Sequence, residues 1–150
     1  MQGYRNEQGN LHRLDGPAVI YANGTQEWWV NGRRHRADGP AVIFPTGHQE
    51  WYRNGKRHRE DGPAVIYADG AQQWWVNGKL HRTDGPARVR ADGPQEWWVN
   101  GKPHRTDGPA VIYDDGINQW WLNGNQYDQL THMLLVNQHN TQTHPQTVVL

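Results

Sequence analysis

The chain contains no cysteine, which excludes a disulfide framework, a thiolate metal centre and a cysteine nucleophile. Serine is also absent, and with it the serine nucleophile of acyl-transfer enzymes. Phenylalanine occurs once and methionine twice, and leucine, isoleucine and valine are too few for a conventional aliphatic core. No apolar run approaches the ~18 residues that cross a bilayer. The N-terminus lacks the charged and apolar regions of a signal peptide, so a cytoplasmic protein without a transmembrane segment is expected. Charge of one sign is missing too: 15 Lys and Arg balance 15 Asp and Glu. That balance removes the sequence-independent attraction to a nucleic-acid polymer, which is not expected as a partner. It also weakens attachment to an anionic membrane surface.

Aromatic residues fill the gap. Nine Trp and six Tyr each remove roughly 150–250 Å² from water when buried, enough to build one domain in 150 residues. Seventeen Gly and nine Pro argue against a helical protein.

Internal periodicity decides the architecture. His12, His35, His58, His81 and His104 are each 23 residues apart, and each opens the phrase HRxDGPA. A short apolar stretch, a Gly, a Trp, a second aromatic and an Asn-Gly pair complete every unit. The repeats run 12–34, 35–57, 58–80, 81–103 and 104–126. Residues 3–11 form a degenerate half-copy in which Tyr4-Arg5-Asn6 echoes Tyr52-Arg53-Asn54.

Each unit predicts a β-hairpin. Ala18 to Tyr21 and Gln26 to Val30 supply the strands, and Asn23-Gly24 supplies a tight two-residue turn. The longer punctuation from Asn-Gly to Asp-Gly-Pro joins one hairpin to the next. The fold class is therefore all-β: tandem hairpins in an antiparallel meander of about eleven strands, either an open twisted sheet or a closed shallow barrel, with a short C-terminal helix. A two-residue turn places Val19 opposite Trp28 and Ala18 opposite Trp29. Arg53, Arg88 and Arg90 fall on the face shared by Val19, Tyr21, Trp28 and Val30, so that face is expected to be solvated. The Ala18, Ile20 and Trp29 face is then core. In this register Arg88 lies opposite Trp97, in reach of a cation–π contact.

The candidate chemistry is the recurrent His, Arg and Asp. As a binding site, each unit offers an imidazole, a guanidinium and a neighbouring Trp, suited to an anionic or planar ligand. The ligand-binding candidates are His35, Arg36, His58, Arg59, His81, Arg82, Trp74 and Trp97, with Arg88 and Arg90 of the divergent fourth unit, where Pro94 also departs from the pattern. The structural alternative has Asp15 capping its own turn, Arg13 pairing with a carboxylate across the repeat junction, and His12 bonded to backbone. Catalysis has little support. HRxD matches the kinase catalytic loop by letters alone, without a phosphate loop or its companion motifs. No two His stand at a local metal-binding spacing, so no metal site and no cofactor are expected.

Lines such as Trp51-Tyr-Arg-Asn-Gly-Lys-Arg-His58 and Trp74-Trp-Val-Asn-Gly-Lys-Leu-His81 carry W-x-N-G-x-x-H, and over 12–126 the chain resembles the MORN repeat and its bacterial and viral variants. It departs from typical MORN units after the His, where Arg36-Ala-Asp-Gly-Pro-Ala replaces Gly-x-Gly. The HRxDGPA units look more like those of phage, giant-virus and bacterial proteins. The resemblance implies a hairpin-repeat scaffold that binds proteins or phospholipid head groups, without catalysis.

The repeats end at 126, and 127–150 is expected to be a cap helix and polar tail. Tyr127, Leu130, Leu134 and Leu135 lie at helical spacing over roughly 126–138, and 137–147 has a composition that need not fold. Val148 to Leu150 offers a further strand or a terminal peptide. The leading expectation is a non-enzymatic scaffold that binds a protein partner or a second copy through a Trp-rich surface. A small-ligand binder, for a sugar or for a nucleotide signal in a lectin-like or viral sponge role, is the alternative. A phosphoesterase using a His of the array comes last.

Overall fold

The computed structural model describes residues 2–143. Every repeat supplies two hairpins. In the first, Val19–Ile20 pairs with Gln26–Glu27, and Trp29–Val30 pairs with Arg33–Arg34. The first hairpins of all units join in one antiparallel sheet, in strict sequence order. Gln2–Gly3 of the half-copy starts this meander and Asn118–Leu122 ends it, with Asn125–Tyr127 added as the twelfth strand. The sheet is open, the first of the two forms that the sequence left in play.

The second hairpins of the first four units stand apart as two-stranded sheets. They still stack along the array. Gly55 N–H donates to the Arg34 carbonyl at 2.8 Å, and Gly78, Gly101 and Gly124 make the same bond to Arg57, Leu80 and Pro103. In the half-copy Tyr4 occupies the place of Trp51, not that of Tyr52. Tyr4 N–H donates to Ala18 and Trp51 N–H to Ala64, and one additional residue before His12 makes the difference.

The two turn types are exchanged relative to expectation. Asn31-Gly32 is the tight two-residue turn, with both residues left-handed at φ 49° and 75°, as a type I′ turn requires. The turn at Asn23-Gly24 is one residue longer. Tyr21 N–H donates to the Thr25 carbonyl at 2.9 Å, Gly24 N–H closes back on Tyr21, and Asn23 Oδ1 accepts from Thr25 N–H. Val19 therefore faces Glu27, and Ile20 faces Gln26. A shift of one residue moves every side chain to the other face.

The expected core assignment is corrected accordingly. Val19, Val42 and Val65 are at most 2% exposed, while Ile20, Ile43 and Ile66 are only half-buried. The conserved-position alanines of HRxDGPA, Ala18, Ala41, Ala64, Ala87 and Ala110, are wholly buried. Trp28 and Trp29 are both half-buried, so neither ring of the pair is simply inside. Arg88 faces Glu96 and not Trp97, and its nearest ring is Trp98, 5.7 Å away.

One helix, α1 (Gln129–Thr143), follows the last strand. It runs past the expected end, through residues whose composition suggested no fold. Asp128 caps it, accepting from the Thr131 amide at 2.9 Å and from its hydroxyl at 2.7 Å. The side chain that anchors α1 is His132, 2% exposed, which lies 5.2 Å from the Trp120 ring and bonds the Arg105 carbonyl at 2.7 Å. Leu130 and Leu134, read from the sequence as the packing face, point to solvent. Val148 to Leu150 lie outside the described residues. Among the described residues no helix is long and apolar enough to cross a membrane.

Gly70 is left-handed at φ 88° with open space around it, whereas Gly93 of the fourth unit is not left-handed. Pro94 follows Gly93 and disfavours helical backbone there. Gly70→Ala is expected to cost about 1 kcal/mol, and Gly93→Ala clearly less, in urea unfolding, with the Gly93 change made in an Arg90→Ala background because a Cβ there would meet Arg90 Cδ at 3.2 Å. Equal costs would show that the two turns share one conformation.

Candidate binding surface

The phrase HRxDGPA bonds within its own turn, to the preceding unit and to the Asn-Gly turn of its own unit. The Arg36 guanidinium lies over the Trp28 ring of the preceding repeat, 4.1 Å from its centroid. Its Nε donates to Asp38 at 2.9 Å and its NH1 to the Pro40 carbonyl at 3.2 Å. Arg59 on Trp51, Arg82 on Trp74 and Arg105 on Trp97 repeat the stack at 4.0–4.2 Å, and Arg13 makes it on Tyr4. The Gly of the phrase is needed for space. A Cβ on Gly39 would sit 3.1 Å from the guanidinium carbon of Arg36. The expected pairing of Arg13 across the junction is corrected: its carboxylate is Asp15 of its own turn, and what crosses the junction is the ring stack.

Those carboxylates are the exposed part of the motif. Asp15, Asp38, Asp61 and Asp84 are 80–83% exposed. The hydrogen bond from the neighbouring Arg, together with its charge, holds each of them below the usual carboxylate range. The histidines face inward to backbone. Nδ1 of His12, His35, His58, His81 and His104 accepts from the backbone N–H of Asn31, Asn54, Asn77, Asn100 and Asn123 at 3.1–3.2 Å. Nδ1 of His35 and His58 also lies 3.1 Å from Oδ1 of Asn54 and Asn77. Burial, and then the nearby His132, push the His104 pKa down, against the opposing hydrogen bond to the Asn123 side chain.

A second row was not recognised in the sequence. Glu27, Glu50, Gln73, Glu96 and Gln119 occupy one position in successive strands, on the face shared with the buried valines. Glu27 accepts from Trp29 Nε1 and Arg34 at 2.8 Å each. Glu50 accepts from His48, Tyr52 and Arg57. Glu96 accepts from Trp98 Nε1, Arg88 and Arg90. Where the residue is Gln73 or Gln119, the Trp bond persists at 2.9 and 3.2 Å. A comparison of copies carries the signal. Arg34 and Arg57 accompany Glu27 and Glu50, Leu80 accompanies Gln73, and Arg88 with Arg90 serves Glu96 where Pro103 has taken the arginine's place.

The other face carries four grooves between consecutive HRxDGPA turns, with volumes of 530–740 Å³. Trp28, Trp51, Trp74 and Trp97 line them in turn, with Val30, Arg53, Val76 and Val99 beside the rings. The candidates His35, Arg36, His58, Arg59, His81, Arg82, Trp74 and Trp97 all border these grooves. Arg88 and Arg90 do not. They line a separate groove of 520 Å³ with Tyr67 and Gln73, and both reach toward Glu96.

No family model matches the chain, and no curated protein matches it either.

The acid response follows from Glu50. Burial pushes its carboxyl up, but bonds from His48 and Tyr52 and the Arg57 charge outweigh burial and leave it below the ordinary value. A carboxyl lowered in the folded state contributes stability above its unfolded pKa of about 4.3, lost as pH falls through the folded value. Chemical denaturation between pH 7 and 3 should therefore fall less steeply with pH for Glu50→Gln than for the parent. Superimposable pH profiles would show that Glu50 is not held ionised by its partners.

Proposed function

We propose that the chain is a non-enzymatic binding module that presents its Trp-lined surface to a protein partner. The observation that carries this reading is the row of four equivalent grooves, lined by Trp28, Trp51, Trp74 and Trp97, on one face of an open sheet. Aromatic rings in shallow grooves supply the anchoring pockets on which protein interfaces depend. Repetition along a sheet gives an extended rather than a single enclosed site. The MORN-type resemblance points the same way.

A small anionic ligand held by His and Arg is the weaker reading. Arg82 already directs Nε to Asp84 and NH1 to Pro86 while stacking on Trp74. His81 Nδ1 is committed to Asn100. An anion would have to displace those bonds.

The test is a displayed peptide library screened on the parent and on the double variant Val76→Glu, Val99→Glu, with matched melting temperatures. Peptides that bind the parent and lose at least tenfold in affinity on the variant are expected. The reading is overturned if no peptide depends on the grooves while a nucleotide or sugar raises the melting temperature and Arg82→Gln abolishes that shift.

A further inference from the structure

The grooves have a fixed pitch. Trp28, Trp51, Trp74 and Trp97 directly follow every second strand of one hydrogen-bonded sheet, each N–H donating to the carbonyl of the next unit's buried Ala, and strand spacing of 4.7–4.9 Å sets successive grooves ~9.4–9.8 Å apart. A cation ladder runs beside them with the same period. Val30 pairs directly with Arg33, Val76 with Lys79 and Val99 with Lys102 across the outer hairpins. Cross-strand partners share a face, so these cations, with Lys56 opposite Arg53, stand on the groove side. Arg33, Lys56, Lys79 and Lys102 are all exposed. The ion pairs of the described residues leave them out, whereas the motif aspartates, which line the grooves with exposed carboxylates, each pair with their own arginine.

A polyproline II segment repeats every three residues at about 9.3 Å, and aromatic-lined grooves are its usual receptors. From this match of pitch and charge we propose that the surface binds an extended, proline-rich protein segment with a carboxylate at every third residue. Prolines of successive turns occupy successive Trp grooves, and the carboxylates meet Lys56, Lys79 and their equivalents in register. The inference rests on the binding-module reading above and names the partner's chemistry at that same surface.

The probes are acetylated (Pro-Pro-Glu)n peptides with n from two to four, (Pro-Pro-Lys)4, and (Pro-Pro-Pro-Glu)3, which spaces its carboxylates by four. Binding is followed by Trp fluorescence and calorimetry with the full chain. Affinity for (Pro-Pro-Glu)n should rise at least tenfold from two to four triplets and weaken with salt. The lysine and four-spaced peptides should bind at least tenfold more weakly than (Pro-Pro-Glu)4. Lys56→Glu with Lys79→Glu, both exposed positions, should lose the binding at an unchanged melting temperature. Equal binding of the four-spaced peptide, or indifference to the lysine substitutions, overturns the proposal. If the triplet peptides fail while library peptides still depend on Val76 and Val99, this inference falls and the binding module stands. If neither class binds, both fall.

Discussion

Five guanidinium groups placed over five aromatic rings, 4.0–4.2 Å from their centroids, hold consecutive units together, and the other residues of HRxDGPA are best understood from that contact. While it lies over the ring, the guanidinium also donates through Nε to the Asp and through NH1 to the Pro carbonyl of its own turn. The Gly between them has no side chain because the guanidinium passes over it. The Ala that follows is wholly buried. Two positions face outward, the aspartate and the variable one, the latter filled by Leu14, Ala37, Glu60, Thr83 and Thr106. Leu14 there is 80% exposed, whereas Glu60 bonds His58 and pairs with Arg53.

The buried face obeys a second constraint, the neutralisation of a carboxylate taken out of water. Three units keep a Glu beside the aromatic pair, and each supplies arginine to it. Two units use Gln, which accepts the same indole N–H without a charge to balance. Arg88 and Arg90, which give the fourth unit its odd appearance, fit this rule. Pro103 removes the usual arginine, and these two bring guanidinium groups to Glu96 from the neighbouring strand. Variation between copies here marks a change in how one acid is balanced.

Much of the architecture was legible because the repeat is uninterrupted and its Gly positions punctuate it unambiguously. The all-β class, the meander order, the half-copy and a terminal helix all follow from spacing. The register did not, because Asn23-Gly24 and Asn31-Gly32 are the same dipeptide and only the residues around them set which turn is shorter. One added residue at Thr25 reversed the faces and so misplaced the core valines and Arg88. The helix anchor was missed for a different reason: His132 packs on Trp120 and bonds a backbone carbonyl, while Leu130 and Leu134 stay in water and only Leu135 of the periodic leucines is half-buried. Of the proposed site residues, those in the HRxDGPA phrase and the first Trp border one row of grooves. Their neighbourhood was readable, but the backbone bonds that occupy the histidines depend on a turn 19 residues away.

The account's central claim is that the motif arginine is a structural clamp between units, leaving the grooves and not the guanidinium groups to bind. Arg82→Lys tests it most directly, since lysine keeps the charge but has neither the planar fork nor the stacking face. Urea unfolding of this variant should show a loss of about 1 kcal/mol from the stack and its bonds, with the change carried by the midpoint. Unchanged stability would contradict the claim, for it would mean that Arg82 contributes nothing to holding its turn on Trp74 and is available for a ligand instead.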